Sequence, residues 1–116
     1  MSQPEATPQS SYRRVCTTTD IPDGTMSKID LGDREVMIAN IGGHFYAAET
    51  WCTHQRSDLT LGIIIDRVVT CPLHQARFDL ENGKVLEGPS GDDPSTIPSL
   101  TTYEVKVEGA DVLVKF

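Results

Sequence analysis

Two short segments, Cys52-Thr53-His54 and Cys71-Pro72-Leu73-His74, each place a thiol and an imidazole close together in the chain. As a pattern they read C-x-H, sixteen residues, C-x-x-H, and they use two of the three cysteines and two of the three histidines. Thiolate and neutral imidazole select zinc, copper and iron over calcium or magnesium. Four such donors on two loops can serve one shared metal site. Structural zinc is one alternative, but its knuckles usually pair cysteine with cysteine and histidine with histidine, whereas each loop here mixes the two. A chance match to the pattern is the other alternative.

The residues after each loop narrow the reading. Leu59-Thr60-Leu61-Gly62 follows the first, and Phe78-Asp79-Leu80-Glu81-Asn82-Gly83-Lys84-Val85 the second, with Gly88-Pro89 beyond. With the donor pattern, these motifs resemble the framework of bacterial Rieske ferredoxins, over a stretch from about Tyr12 to Phe116. The resemblance implies one Rieske-type [2Fe-2S] cluster, with Cys52 and Cys71 on one iron and His54 and His74 on the other. Imidazole donates less charge than thiolate, so the histidine-bound iron would take the electron. The histidines would lie outermost, and the potential would fall at alkaline pH as the oxidised form loses an imidazole proton.

Departures from other Rieske branches sharpen the expectation. Subunits of respiratory cytochrome bc complexes carry an extra cysteine in each loop, joined as a disulfide, and the matching positions here are Ser57 and Leu73. Those proteins also place a serine and a tyrosine after the second loop, whose hydroxyls donate to cluster sulfurs. Ala76 and Phe78 stand there instead. Without those donors the reduced cluster is less stabilised, and a potential near the lower Rieske limit, about −150 mV, is expected.

Composition limits the partners. Seventeen acidic against ten basic residues give a net charge of −7, which disfavours nucleic acid and anionic membrane surfaces. The opening residues 1–11 are polar and contain two prolines, with neither a basic start nor an apolar stretch, so they read as a flexible tail before one domain over 12–116. No apolar run is long enough to span a bilayer, and a cytoplasmic location is expected. Cys16 is left over from the donor set. It lies in a strand-like alternation and reads as a small buried core residue, which fits a reducing compartment.

The elements that must position these donors are short strands separated by turns, with no helical period. Val36 and Ile38 alternate with Met37 and Ala39, and Ile41-Gly42-Gly43-His44 turns the chain into Phe45-Tyr46-Ala47-Ala48, a hairpin just before the first loop. Ile63-Ile64-Ile65 and Val68-Val69-Thr70 flank Asp66-Arg67, and Glu81-Asn82-Gly83-Lys84 is a hairpin turn after the second loop. At the end, Tyr103, Val105 and Val107 share a face before Gly109-Ala110-Asp111 turns into Val112, Val114 and Phe116. The expected fold is all-β, the Rieske fold: antiparallel, sandwich-like sheets with a small cluster-binding subdomain, its loops at about 50–60 and 71–80.

Three further features are open to more than one use. His44 follows Gly43 at a turn and reads as a surface or hairpin residue. Trp51 reads as core packing, with shielding of the cluster as the alternative. Leu73 and Pro89 are expected to form an apolar patch beside the histidines, rimmed by Gln55, Arg56 and Gln75. Residues 88–100 are rich in glycine, proline and acid and read as an irregular loop, longer than relatives use at this point. It would either select a partner or be a tolerated surface loop.

The resemblance implies an electron carrier, the ferredoxin component of a multicomponent aromatic ring-hydroxylating dioxygenase. A flavoprotein ferredoxin reductase fed by NAD(P)H would supply single electrons, and a terminal oxygenase would receive them. The chain has no Gly-rich dinucleotide fingerprint and no further His/carboxylate set for a mononuclear iron, so no turnover of its own is expected, and a monomer suffices. A small subunit of a nitrite reductase and a redox-sensing cluster protein are the other readings.

Overall fold

The computed structural model describes residues 12–53 and 56–116; the expected tail over 1–11, together with His54 and Gln55, lies outside the described residues. Ten strands run in chain order: β1 (Tyr12–Thr17), β2 (Thr25–Asp30), β3 (Glu35–Ile41), β4 (His44–Ala48), β5 (Ile63–Ile65), β6 (Val68–Thr70), β7 (Arg77–Asp79), β8 (Val85–Glu87), β9 (Thr102–Glu108) and β10 (Asp111–Lys115). The only helical elements among the described residues are short 3-10 turns, each of three residues. The all-β expectation therefore holds.

The strands form a six-stranded sheet in the order β1-β10-β9-β4-β3-β2 and a four-stranded sheet in the order β5-β6-β7-β8, all pairings antiparallel. Hairpins make most of these contacts, and those at Gly42-Gly43, Asp66-Arg67, Asn82-Gly83 and Gly109-Ala110 sit where the turn chemistry placed them. Gly42 and Gly43 both have positive φ (63° and 89°), which lets β3 and β4 join through two residues. Buried Asn40 pins the same corner, donating to the Ile21 carbonyl at 2.7 Å and accepting from the Gly43 N–H at 2.9 Å.

Strand β3 explains why the molecule has two cores. Val36, Met37, Ile38 and Ala39 are all buried, so the strand is covered on both faces and its run is continuously apolar. Val36 and Ile38 join Val15, Ile21, Phe45, Val112 and Val114 in one core. Met37 and Ala39 join Leu59, Val69, Phe78, Leu80 and Leu100 in the other, together with Cys52 and Cys71. The alternation within a single strand thus divides the base domain from the smaller sheet that carries the donor loops.

Cys16 lies in the first core, 5% exposed. Burial pushes its thiol up to about 11, Asp20 adding to the rise, so it stays protonated and unreactive at neutral pH. The facing of β9 fades at its end: Val105 is partly buried against Val114, but Val107 is 45% exposed.

Candidate metal centre

The two donor loops are built alike. The Cys52 N–H donates to the Ser57 carbonyl at 2.9 Å, and the Cys71 N–H donates to the Ala76 carbonyl at 2.8 Å. Each loop therefore closes on the residue five positions after its cysteine, and each closing pair is buried: Cys52 with Ser57, Cys71 with Ala76. In the second loop, the Gln75 N–H reaches back to the Cys71 carbonyl at 3.1 Å, and Gln75 takes a left-handed backbone, φ 64°. That conformation costs about 1 kcal/mol or more outside glycine, so the loop geometry is held by its surroundings. The first loop rests on an isolated bridge between Trp51 and Asp58, with the Leu59 N–H donating to the Thr50 carbonyl at 2.8 Å.

This construction separates the two kinds of donor. Cys52 (5% exposed) and Cys71 (1%) sink into one core, while Pro72 to Gln75, with His74 among them, stand exposed. Two thiols are thus brought to the same dry region and an imidazole is left at its outer edge. His54, the fourth candidate, lies outside the described residues. Among the described residues no group of three His, Cys, Asp or Glu side chains could hold a single metal ion. Cys16, Cys52 and Cys71 lie outside any disulfide, and Ser57 and Leu73 supply no thiol where the bc-type bridge would need them.

Next to the thiols, Ala76 and Phe78 are almost wholly buried and bring no hydroxyl. The donor chemistry suits an iron–sulfur group: buried soft thiols and an imidazole, in an apolar surround that restricts water. Thr50, two residues before Cys52, adds a sign that the protein atoms alone do not complete the region. Its hydroxyl is the one buried side-chain oxygen among the described residues with no hydrogen-bond partner, which costs about 1–3 kcal/mol when left unmet.

Glycine-62 shows how closely the loops are packed. A Cβ there would lie 2.0 Å from the Thr70 carbonyl oxygen and 3.1 Å from its carbon. The 3-10 turn Leu59–Leu61 that follows the first loop is therefore seated directly on the strand end that leads into Cys71. Asp58 caps that turn, accepting from the Thr60 N–H at 2.9 Å, and pairs with Lys28 at 3.0 Å. Burial pushes the Asp58 carboxyl up, but hydrogen bonds from the Thr60 hydroxyl and Lys28 outweigh it and hold the group below its ordinary range.

Two expectations change here. Trp51 is half-buried rather than a core residue, with the Arg56 guanidinium 4.6 Å and the Lys28 ammonium 5.4 Å from its ring, both within cation–π reach. Pro89 is buried, so Leu73, 56% exposed, stands at the tip without it. Arg56 and Gln75 are exposed as expected; Gln55 lies outside the described residues. His44 is an exposed hairpin residue with its ring 4.6 Å from that of Tyr46.

Sequence reasoning missed the apolar surface beside the second loop. Leu61, Ile63 and Ile65 are 75%, 62% and 69% exposed. Leu61 and Ile63 line a cavity of about 470 Å³ with Pro72, Gln75, Arg77 and Glu87. A period-two reading of Ile63-Ile64-Ile65 contained the signal, since with Ile64 turned to the core its neighbours must face out.

The fold and the paired loops define an iron–sulfur protein, and a family model for the Rieske [2Fe-2S] domain matches residues 11–113. The chain belongs to that family, and its cofactor is one Rieske-type [2Fe-2S] cluster. The ferredoxin component of biphenyl 2,3-dioxygenase from Rhodococcus jostii (strain RHA1) is 36% identical over 101 residues, covering 87% of this chain and 89% of that protein. The 3-phenylpropionate/cinnamic acid dioxygenase ferredoxin subunit of Escherichia coli (strain K12) is 38% identical over 101 residues, covering 86% and 89%. Among solved structures, a chain of the complex of reduced oxygenase and oxidized ferredoxin in carbazole 1,9a-dioxygenase superposes with a TM-score of 0.78 at 28% identity, over 90% of this chain and 92% of that one. No helix among the described residues is long and apolar enough to cross a membrane.

Proposed function

We propose that this chain is the electron-carrying ferredoxin of a multicomponent aromatic ring-hydroxylating dioxygenase, without turnover of its own. In this reading Cys52 and Cys71 hold one iron, and His54 and His74 hold the other. When bound, the cluster supplies a site that accepts and releases one electron at a time.

The observation that carries the proposal is the split between two buried thiols in one core and an exposed His74 loop. The thiols are kept from water and from oxidants. His74 stands where a docked protein can approach it, so electrons would enter and leave on the imidazole side. Ala76 and Phe78 donate no hydroxyl to the centre, which supports a potential at the lower end of the Rieske range. That suits a carrier filled by an NAD(P)H-dependent flavoprotein reductase and emptied by a terminal oxygenase.

The ferredoxin names of the relatives and the carbazole dioxygenase complex support the same reading. The test is reconstitution: purified protein mixed with NADH, a ferredoxin reductase of such a system and its oxygenase, followed by visible absorbance. Transfer of one electron per chain from reductase to oxygenase is expected. A loaded protein that the reductase reduces but that passes nothing to any oxygenase would favour a sensor.

A further inference from the structure

The short ladder that opens and closes the first loop has two unlike faces. Trp51 bridges Asp58, and the bonds on either side run from the Cys52 N–H to the Ser57 carbonyl and from the Leu59 N–H to the Thr50 carbonyl. Trp51 and Asp58 therefore form a non-hydrogen-bonded antiparallel pair, with Thr50 opposite Leu59 and Cys52 opposite Ser57. Side chains alternate along each strand, so Thr50, Cys52, Ser57 and Leu59 share one face and Trp51 and Asp58 the other.

Burial follows that division. All four residues of the first face are buried. On the opposite face Trp51 is half-buried under Arg56 and Lys28, and Lys28 also pairs with Asp58, so outer contacts keep the inner face turned inward. Leu59 and Cys52 belong to the core that also contains Cys71. The Thr50 hydroxyl is thus placed in the dry region of both thiols, two residues or about 7 Å along the strand from Cys52. It has no hydrogen-bond partner there. A hydroxyl proton rotates to suit its surroundings, and with no protein acceptor to fix it this one can answer to charge.

Reduction supplies the charge. With two thiolates and two neutral imidazoles, the oxidised centre carries no net charge and the one-electron-reduced centre carries one negative charge. In an apolar surround a dipole acts on that charge more strongly than it would in water.

We infer that Thr50 helps to set the reduction potential: its hydroxyl turns its proton toward the thiolate side of the cluster and favours the reduced form. The inference rests on the ligand reading above. The hydroxyl reorients and keeps its proton, so no bond is made or broken as the electron arrives. Thr50 thereby supplies, from the strand before the first loop, a hydroxyl that Ala76 and Phe78 do not bring from the second.

The test uses the cluster-loaded protein and its Thr50→Val and Thr50→Ser variants. Valine keeps the branched shape without the hydroxyl, and serine keeps the hydroxyl. Redox titration gives the potential, an electron paramagnetic resonance spectrum of the reduced protein gives the ligand field, and a thermal melt gives the stability. Thr50→Val should favour the oxidised form about fivefold, the factor that one net hydrogen bond is worth, which is a fall of about 40 mV for a one-electron couple. Its spectrum should keep the wild-type g values, since no ligand changes, and Thr50→Ser should return the potential to that of wild type. An unchanged or higher potential in Thr50→Val would overturn the inference; a higher melting temperature beside it would identify the hydroxyl as a buried polar group left unmet. A lowered potential with altered g values would assign the shift to displaced ligands, and a Thr50→Ser variant that keeps the potential of the valine variant would assign it to packing; either overturns the role of the hydroxyl. A wild-type protein purified with no iron and sulfide would overturn the ligand reading, and the role of Thr50 with it.

Discussion

Replacing Gly62 with alanine tests how the two loops are held together. Gly62 has an extended backbone, φ −87° and ψ −157°, that any residue can adopt, so conformational freedom is not the reason for glycine here. Space is. The added methyl would sit 2.0 Å from the Thr70 oxygen and 3.2 Å from the Leu59 oxygen, both backbone atoms that no rotamer change can move. Relief requires a shift of about 1 Å in the strand end leading into Cys71, since ordinary carbon–oxygen contact begins near 3.3 Å. Overpacking of this kind costs about 3 kcal/mol, and at roughly 4 °C per kcal/mol for a domain of this size the melting temperature should fall by about 12 °C. Gly43→Ala is the matched control. Its φ is +89° with nothing within 4 Å of the new methyl, so only backbone strain of about 1–2 kcal/mol applies. Circular dichroism melts with iron and sulfide analysis would compare the two. Gly62→Ala should lose stability and cluster together, and Gly43→Ala only stability. A Gly62→Ala protein melting within 2 °C of wild type with full iron would refute the packing argument.

Three other outcomes follow from the site. Cys71→Ser should lose the cluster and much of the stability of both loops, because the metal and the loops order each other; full iron and acid-labile sulfide in that variant would remove Cys71 from the ligand set. Ala76→Ser should raise the reduction potential measured by redox titration, as a buried hydroxyl beside the thiols favours the reduced form; an unchanged or lower value would mean that another feature of the surround dominates. Asp58→Asn should cost about 1 kcal/mol at neutral pH through the weakened cap and the lost Lys28 pair. Because the folded carboxyl lies below its unfolded value, its contribution is full above the ordinary carboxylate range and disappears as pH falls through the folded value. Urea melts of wild type and Asp58→Asn should therefore begin to converge as pH falls below about 5, and a gap independent of pH would contradict this.

Local chemistry was the legible part of this chain. The donors announce themselves by spacing, and hairpins such as β3–β4 and β5–β6 are specified by Gly42-Gly43 and Asp66-Arg67 between β-branched runs. Strand β2 was not read, because Thr-Met-Ser-Lys-Ile-Asp alternates only weakly and owes its order to pairing with the fully buried β3. The pairing of β4 with β9 is equally hidden: Ala47 meets Tyr103 across more than half of the strand-forming chain, and no local residue pattern encodes that meeting.

Within the site, the sequence offered the proposed ligands but not their support. The shared closure of Cys52 on Ser57 and Cys71 on Ala76 is made by backbone atoms, which carry no side-chain signature. The residues around 88–100 read as an irregular loop because their order comes from capping by Asp93 and from contacts at Thr53 and His74 that lie distant in sequence. Glycine was visible at position 62, but its reason, the Thr70 carbonyl, appears only in three dimensions.

The central claim is that two thiolates and two imidazoles share one cluster in this chain, and an electron paramagnetic resonance spectrum of the dithionite-reduced protein tests it most directly. A rhombic signal with an average g value below that of all-cysteine ferredoxins is the expected result. An all-cysteine-type signal, or no signal with zinc found by metal analysis, would contradict it.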